Sequence, residues 1–373
     1  MNITLIATTA MGLESVLARE IKELGFSAAQ SFNGKIEFQG NLEDICRANL
    51  WLRTAGRILI KVGEFKATTF DELYEKTRAL PWGQWIEETA QFPISKVTSR
   101  KSTLFSKSDC QSIIKKAVVD SLKTYHKVSN LPETGAPFAI RLQIENDLVT
   151  LSLDTSGSGL NKRGYRSHMD LAPLRETLAA GLVLLSRWRP DKDVLFDPLC
   201  GSGTILIEAG LIAKNIAPGL NRQFVSEQWQ IIPPELWAKA RQEAQDSIIK
   251  ENNFQIFGSD KSWRALEIAQ KNTGLAGLTN FNYQKLNLNE TSLPFSTGKI
   301  ITNPPYGERM DDQEETEALY KEMGLHFKKE FAEWSYYVIT PHDDFEKLFK
   351  AKSDKHRKLF NGAIQCWYYQ FFA

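Results

Sequence analysis

A glycine-rich turn follows a short apolar stretch in the sequence VLFDPLCGSGTILIEAG (194–210). The pattern predicts a strand ending at Asp197, a turn containing Gly201 and Gly203, and a helix starting near Thr204. Glycines there let the backbone approach a ligand closely, although a tight turn without a ligand needs them equally. Ligands of open α/β sheets bind beyond the carboxyl ends of the strands. Neither a Walker loop nor the GxGxxG fingerprint is present, because no lysine follows the glycines and position 206 is leucine.

Asp260 ends the next predicted strand, in FGSDKSWRALEIAQKN. A carboxylate at this place can accept hydrogen bonds from both ribose hydroxyls of an adenosine ligand. An aspartate after a strand also commonly caps the following helix. Its position one βα unit after the glycine turn favours ligand binding.

In the sequence IITNPPYGER (300–309), Asn303 lies at the end of a further predicted apolar strand. The two prolines restrict the backbone, and Tyr306 offers a flat ring. The amide oxygen of Asn303 and the carbonyl of Pro304 can accept hydrogen bonds from an exocyclic amine, while Tyr306 stacks on the base. The alternative is a rigid turn without chemistry, which we disfavour in a sheet that already carries the glycine turn.

The elements around these motifs alternate between strands and helices over about 173–373, ending in a strand near AIQCWYYQFF. This alternation predicts right-handed crossovers and a mostly parallel, doubly wound sheet. Residues 1–64 instead follow a β-α-β-β-α-β order, with an Asn33-Gly34 hairpin turn, which is the ferredoxin-like pattern.

One stretch within residues 65–160 is basic. Between 94 and 127 there are eight Lys or Arg against two acids, in a chain whose net charge is +1. This charge is either a phosphate-binding surface or an ordinary solvated helix face. The segment 155–168, TSGSGLNKRGYRSH, has the composition of a linker.

The composition limits the class of protein. Hydrophobic residues make up 42% and charged residues 24%, as in folded proteins, and no apolar run reaches membrane-spanning length. Four separated cysteines and five scattered histidines predict no disulfide framework and no metal site. The N-terminus has no signal-peptide pattern, so we expect a cytoplasmic protein.

DPLCGSGT followed by NPPY resembles the S-adenosylmethionine-dependent methyltransferases that act on nucleobase exocyclic nitrogens. Together with NKRGYR (161–166), APLRETLAA (172–180), IAPGLNRQF (216–224) and Trp229, these motifs resemble the THUMP-containing RNA guanine-N2 methyltransferases, in particular the bacterial 23S ribosomal RNA methyltransferases of the RlmL family. The resemblance implies a ferredoxin-like domain (1–64), a THUMP RNA-binding domain (65–160) and a Rossmann-like class I methyltransferase domain (161–373), with 161–172 as linker.

The resemblance also implies roles for individual residues. S-adenosylmethionine would be held by the glycine turn, by Asp260 at the ribose and by Asn287, or by its competitor Asn289, at the adenine. The implied cofactor residues are Asp197, Pro198, Cys200, Gly201, Gly203, Thr204, Asp260 and Asn287. The implied catalytic residues are Asn303, Pro304, Pro305 and Tyr306. The expected RNA-binding residues are Arg100, Lys101, Lys107, Lys115, Lys116, Arg163 and Arg166.

The expected reaction is direct methyl transfer to the N2 of a guanosine, in 23S rRNA. Cys200 lies in the cofactor turn, so we interpret it as a packing residue and not as a nucleophile. Two alternatives stay open: a DNA adenine-N6 or cytosine-N4 methyltransferase, because NPPY serves all three targets, and a non-catalytic RNA-binding or assembly factor. The basic N-terminal part favours RNA over DNA, and the intact motifs disfavour loss of catalysis.

Overall fold

The structure is a computed structural model that describes residues 2–166, 174–251, 253–307 and 310–373, with backbone alone for Ala28 and 310–312. Within these ranges the strands form two seven-stranded sheets, one in each half of the chain. The predicted linker residues 167–172, and Glu308 and Arg309 of NPPYGER, lie outside the described residues. An α+β part precedes an α/β part, which confirms the predicted fold class.

The N-terminal sheet has the order β2-β3-β1-β4-β7-β6-β5. Its elements are β1 (Ile3–Thr9), α1 (Glu14–Glu23), β2 (Ser27–Phe32), β3 (Lys35–Gly40), α2 (Leu42–Trp51), β4 (Ala55–Lys66), α3 (Phe70–Arg78), β5 (Ile94–Arg100), α4 (Lys107–His126), β6 (Ile140–Glu145) and β7 (Leu148–Asp154). The twelve-residue β4 pairs with both β1 and β7, so the ferredoxin-like part and the basic part share one sheet. The predicted boundary at 64/65 therefore falls within β4, and the domain boundaries stay predictions.

Local sequence explains the turns of this sheet. The Asn33-Gly34 pair joins β2 to β3 directly, and Gly34 has φ +71°. Asn146 and Asp147 join β6 to β7, with φ of +51° and +61°, as a two-residue hairpin turn of the primed type requires. The N-cap position of α4 is Ser106.

The C-terminal sheet has the order β10-β9-β8-β11-β12-β14-β13. Its elements are α5 (Glu176–Ser186), β8 (Leu195–Asp197), α6 (Thr204–Ala213), α7 (Pro234–Asp246), β9 (Ile256–Asp260), α8 (Trp263–Leu275), β10 (Asn282–Lys285), β11 (Lys299–Thr302), α9 (Met310–Glu330), β12 (Ser335–Thr340), α10 (Phe345–Phe349), β13 (Lys355–Asn361) and β14 (Ile364–Phe371). Strand β8 lies between β9 and β11, parallel to both. The strand order reverses there, and ligands of such sheets bind at this point.

Residues 155–166 join the two halves but are not a solvated linker. Thr155 and Ser156 are fully buried. Asn49 of α2 donates to the Thr155 hydroxyl (2.9 Å) and accepts from the Ser156 hydroxyl (2.6 Å). The Arg222 guanidinium donates to the carbonyls of Gly159 (2.6 Å) and Ser158 (2.7 Å). The N-terminal core also extends to Trp237 and Ala240 of α7, so the two halves are packed together.

Candidate active site

A cavity of about 1320 Å³ opens at the carboxyl ends of β8, β9 and β11. Both sequence motifs line it, together with the residue that ends β9. Among the residues predicted for the site, the lining contains Asp197, Cys200, Gly201, Thr204, Asp260, Asn287, Asn303, Pro304, Pro305 and Tyr306. The topology thus brings the glycine turn and the NPPY loop to one space, although about 100 residues separate them.

The glycine turn has two glycines with different surroundings. Gly201 has φ +52°, and a Cβ there would meet no atom within 4 Å, so the backbone is open to the cavity. Gly203 has φ +79°, but a Cβ there would lie 2.9 Å from the Tyr283 hydroxyl and 3.1 Å from Ala269. Gly203 is therefore required by packing against α8 and β10, and not by ligand approach.

Pro198 and Gly203 do not line the cavity within the described part of the chain. The Pro198 carbonyl accepts a hydrogen bond from Ser259 (3.1 Å) and lies behind the turn. Their assignment as cofactor-binding residues therefore stays a prediction, which the lining of this cavity does not support.

Asp260 connects two strand ends. One carboxylate oxygen accepts from the Gly201 N–H (3.0 Å) and the other from the Ser262 N–H (2.8 Å). Each oxygen keeps further lone-pair capacity for a ligand, because an ionised carboxylate accepts about four hydrogen bonds. Asp260 therefore both shapes the turn and faces the cavity.

Asp197 is buried at the end of β8, and the Leu199 N–H donates to its carboxylate (3.1 Å). Burial raises the pKa of this carboxyl to about 7, and the neighbouring Asp260 also acts to raise it. A buried negative charge is costly without a cationic partner, so this position favours a positively charged ligand.

We expect Asp197 to make the ligand-free protein less stable as the pH rises from about 4 to about 7. The unfolded carboxyl loses its proton near 3.8 and the folded one only near 7, so the folded state binds more protons in that window. The non-ionising variant Asp197→Asn lacks this contribution, which is on the order of a few kcal/mol. Unfolding midpoints of both proteins at pH 5 and pH 8 measure it. Parallel pH dependence in the two proteins would contradict the assignment.

One hydrogen bond within the NPPY loop and one from α9 hold the loop in place. The Tyr306 hydroxyl donates to the amide oxygen of Asn303 (2.7 Å). The hydroxyl of Tyr320, which is fully buried in α9, donates to the Pro305 carbonyl (2.9 Å) and lies 2.8 Å from the Thr340 hydroxyl. The loop is therefore fixed before any substrate binds.

Asn287 and Asn289 both line the cavity, so the choice between them at the adenine stays open. The Asn287 backbone N–H (2.8 Å) and side-chain amide (3.1 Å) both donate to Glu290. Its amide oxygen remains available as an acceptor. Burial raises the pKa of the Cys200 thiol well above its ordinary value, which suits a packing residue and not a nucleophile. Among the described residues, no group of three His, Cys, Asp or Glu side chains could hold a metal ion.

The predicted RNA-binding residues divide into exposed and engaged side chains. Arg100, Lys101, Lys107 and Lys116 are exposed. The Lys115 ammonium is 2.8 Å from the Glu133 carboxylate and 3.5 Å from the centre of the Phe92 ring, so its charge is already compensated.

Arg163 and Arg166 are not available for RNA, and their predicted role is corrected. The Arg163 side chain is 3% exposed and forms an ion pair with the fully buried Glu208 of α6 (3.4 Å). It also donates to the carbonyls of Leu160 and Arg53. Arg166 forms an ion pair with Glu176 (3.2 Å) and donates to the Thr204 hydroxyl (2.9 Å) at the start of α6. Both guanidinium groups hold the segment 155–166 against the methyltransferase half.

The sequence analysis missed one wall of the cavity, which α9 provides. Glu315, Ala318, Leu319 and Glu322 recur at helical spacing and line the space. This spacing is a detectable signal, but it does not reveal which face of a polar helix meets a cavity. Among the described residues the lining has five acids and one lysine, which suits a cationic ligand.

Within the described ranges, no helix combines the length and apolar character needed to span a membrane.

Family models match nearly the whole chain. The model described as an RMKL-like methyltransferase domain matches residues 163–370. The RlmL ferredoxin-like domain matches 4–59, and the THUMP domain matches 67–154.

Two curated relatives differ in length. A candidate RNA methyltransferase of Bacillus subtilis (strain 168), YpsC, is 46% identical over 99% of this chain and 96% of its own. The ribosomal RNA large subunit methyltransferase K/L of Psychromonas ingrahamii is 36% identical over 96% of this chain, but the match covers 48% of that protein. This chain thus spans about half the length of the K/L relatives.

Solved structures share the whole architecture. SMU.472, a candidate methyltransferase complexed with S-adenosylhomocysteine, is 40% identical with a TM-score of 0.92, over 100% of this chain and 98% of that one. A Listeria monocytogenes protein named as a predicted N6-adenine-specific DNA methylase is 47% identical with a TM-score of 0.94, over 100% of this chain and 97% of that one. The chain therefore belongs to the RMKL-like methyltransferase family, uses S-adenosylmethionine as cofactor, and carries an RlmL ferredoxin-like domain and a THUMP domain before its methyltransferase domain.

Proposed function

We propose that this protein transfers a methyl group from S-adenosylmethionine to the exocyclic N2 of a guanosine in RNA, and that the RNA is 23S rRNA. The observation that carries the proposal is the meeting of the glycine turn and the NPPY loop in one acidic cavity of a chain that has a THUMP domain. The name of the Psychromonas relative supports large-subunit ribosomal RNA as the substrate.

The cofactor-binding residues in this proposal are Asp197, Gly201, Thr204, Asp260 and Asn287. The open backbone at Gly201 leaves room for close approach, and the free lone pairs of Asp260 suit ribose hydroxyls. The bound cofactor supplies an electrophilic methyl group on a sulfonium. The acidic lining supports this assignment because the sulfonium carries a positive charge.

The proposed role of the NPPY loop is to orient the target amine. The amide oxygen of Asn303 and the Pro304 carbonyl accept its two N–H bonds, which leaves the nitrogen lone pair directed at the methyl group. The amide oxygen of Asn303 has two lone pairs, so it accepts from the base while it keeps its hydrogen bond from Tyr306, and the Tyr306 ring stacks on that base. Transfer would be a direct displacement without a covalent enzyme intermediate: the N2–methyl bond would form as the sulfonium–methyl bond breaks, a neutral thioether would leave, and the amine would release one proton to solvent. Positioning would supply most of the acceleration.

The acidic cavity separates base recognition from backbone recognition. Phosphates are repelled by a negatively charged lining, so the target nucleotide enters with its base first, as a flipped nucleotide does. The exposed cations Arg100, Lys101 and Lys107 lie on the THUMP domain and contact phosphates in this proposal.

Methyl transfer from labelled cofactor to unmodified large-subunit rRNA and to duplex DNA, followed by nucleoside mass spectrometry, tests the proposal. We expect N2-methylguanine in RNA. The second candidate, a DNA adenine-N6 methyltransferase, is favoured by the name of the Listeria relative and by the shared NPPY loop. N6-methyladenine as the sole product would replace the first proposal with the second.

The triple variant Arg100→Ala/Lys101→Ala/Lys107→Ala is expected to bind RNA at least tenfold more weakly. Each lost phosphate contact reduces the slope of log affinity against log salt by roughly 0.7, or about 2 in total. Filter binding at several salt concentrations measures both quantities. Lys115→Ala is the matched control, because Glu133 already neutralises that lysine. A triple variant with the wild-type salt slope would place the RNA elsewhere.

A further inference from the structure

The wall that α9 contributes to the cavity carries two carboxylates, Glu315 and Glu322. This helix is fastened to the NPPY loop, because Tyr320 on its other side donates to the Pro305 carbonyl (2.9 Å). Any base that Asn303 and Pro304 hold by its amine therefore lies between the loop and this wall.

The two carboxylates lie at different ends of the wall. His326, one turn after Glu322, hydrogen-bonds to Thr291 (2.9 Å), so Glu322 lies toward the end of the cavity that Asn287 and Glu290 line. Glu315 lies about two turns earlier, where α9 follows the NPPY loop. Within residues 2–166, 174–251, 253–307 and 313–373, Glu315 has no cation within 4 Å, so its carboxylate is free to accept hydrogen bonds from a substrate.

The three amino-bearing bases differ at the ring atom next to the exocyclic amine. Guanine has the N1–H donor beside its N2 amine, whereas adenine N1 and cytosine N3 are lone-pair acceptors beside their amines. A carboxylate is an acceptor only, so it attracts the guanine N1–H and repels the other two ring nitrogens.

We infer that Glu315 determines the choice of base by accepting the N1–H of the target guanine while the N2 amine lies against Asn303. The inference rests on the proposed function and deepens it, because the same cavity then excludes adenine and cytosine. A substitution that neutralises Glu315 weakens its attraction for the guanine N1–H and removes its repulsion of the adenine and cytosine ring nitrogens. It should therefore slow guanine methylation and relax the choice of base.

Full-length Glu315→Gln, assayed on unmodified large-subunit rRNA transcript, tests this assignment. We expect kcat/KM for guanine to fall about tenfold to a hundredfold, as the loss of a charged hydrogen bond predicts. N6-methyladenine or N4-methylcytosine should also appear, because a carboxamide N–H can donate to their ring nitrogens. Cofactor affinity by calorimetry should stay within about twofold of wild type, since one lost cofactor contact would exceed that.

Two variants of the same helix are controls. Glu314→Gln changes an exposed residue outside the lining, and Glu322→Gln changes the carboxylate at the other end; neither should alter which base is methylated. If wild type makes N2-methylguanine and Glu315→Gln matches it in rate and product, the inference alone fails. A matching loss of cofactor affinity would also overturn it, by placing Glu315 at the cofactor. A wild-type product other than N2-methylguanine would instead overturn the proposed function.

Discussion

Asn303→Ala should lose methyl transfer and keep cofactor affinity. We expect kcat to fall about a hundredfold to a thousandfold, as when one oriented hydrogen-bonding group is removed from a transition state. The amide acts on the amine in this proposal and not on the cofactor, so calorimetric affinity for S-adenosylmethionine should stay unchanged. Single-turnover methyl transfer to rRNA measures the rate.

Tyr306→Phe is the matched comparison for Asn303→Ala. It keeps the stacking ring and removes only the hydroxyl that now holds the Asn303 amide oxygen at 2.7 Å. A neutral hydrogen bond of about 1 kcal/mol predicts a loss of only several-fold. Near wild-type turnover by Asn303→Ala would show that the backbone carbonyls alone orient the amine.

The parts of this site that could be predicted are those whose chemistry and backbone geometry depend on residues adjacent in the sequence. Gly201 needs φ +52°, which favours glycine, and Asn303 follows an apolar strand directly. Parallel strands place their carboxyl ends at one edge of the sheet, so the convergence of Asp197, Asp260 and Asn303 follows from the strand pattern. The hairpin turns at Asn33-Gly34 and Asn146-Asp147 are local in the same sense.

The parts that could not be predicted depend on partners distant in sequence. Glycine and serine in 155–168 suggest a linker, but the same small residues allow close packing. A Cβ at Gly164 would lie 2.7 Å from the Asn221 carbonyl. The segment is held by Arg222 and Glu208, more than 40 residues away. Arg163, near the end of this segment, is therefore easily interpreted as an RNA ligand until its carboxylate partner Glu208 is known.

The shared sheet and the C-terminal hairpin are similar cases. Strand β4 is continuous and pairs with both β1 and β7. The alternation of apolar residues within the strand does not reveal these two partners. Strand β13 is rich in lysine and arginine and was not predicted, because its stabilising contact is the antiparallel pairing of Lys355–Asn361 with β14. Pairing partners, rather than propensity, decide both outcomes.

Arg163→Ala should destabilise the protein rather than weaken RNA contact. Truncating one partner of a buried ion pair leaves the other charge uncompensated, at a cost of about 3–5 kcal/mol. Here the remaining charge would be Glu208, which is fully buried and accepts one further hydrogen bond, from Tyr165 (3.0 Å). Chemical denaturation of the full-length protein measures the loss, and Lys162→Ala, at an exposed neighbour, should change nothing.

A second change distinguishes a structural arginine from an RNA ligand. In Arg163→Met/Glu208→Leu both charges of this pair are removed, and the buried Arg53 nearby keeps Glu20 as a charged partner. Most of the lost stability should therefore return, since apolar residues of similar volume often replace buried ion pairs without penalty. The repacked protein should bind rRNA with wild-type affinity and salt dependence, because Arg163 is 3% exposed and cannot reach a phosphate. If the double variant is stable but binds RNA tenfold more weakly, with a shallower salt slope, the segment 155–166 must open on binding, and Arg163 then exchanges Glu208 for the RNA backbone.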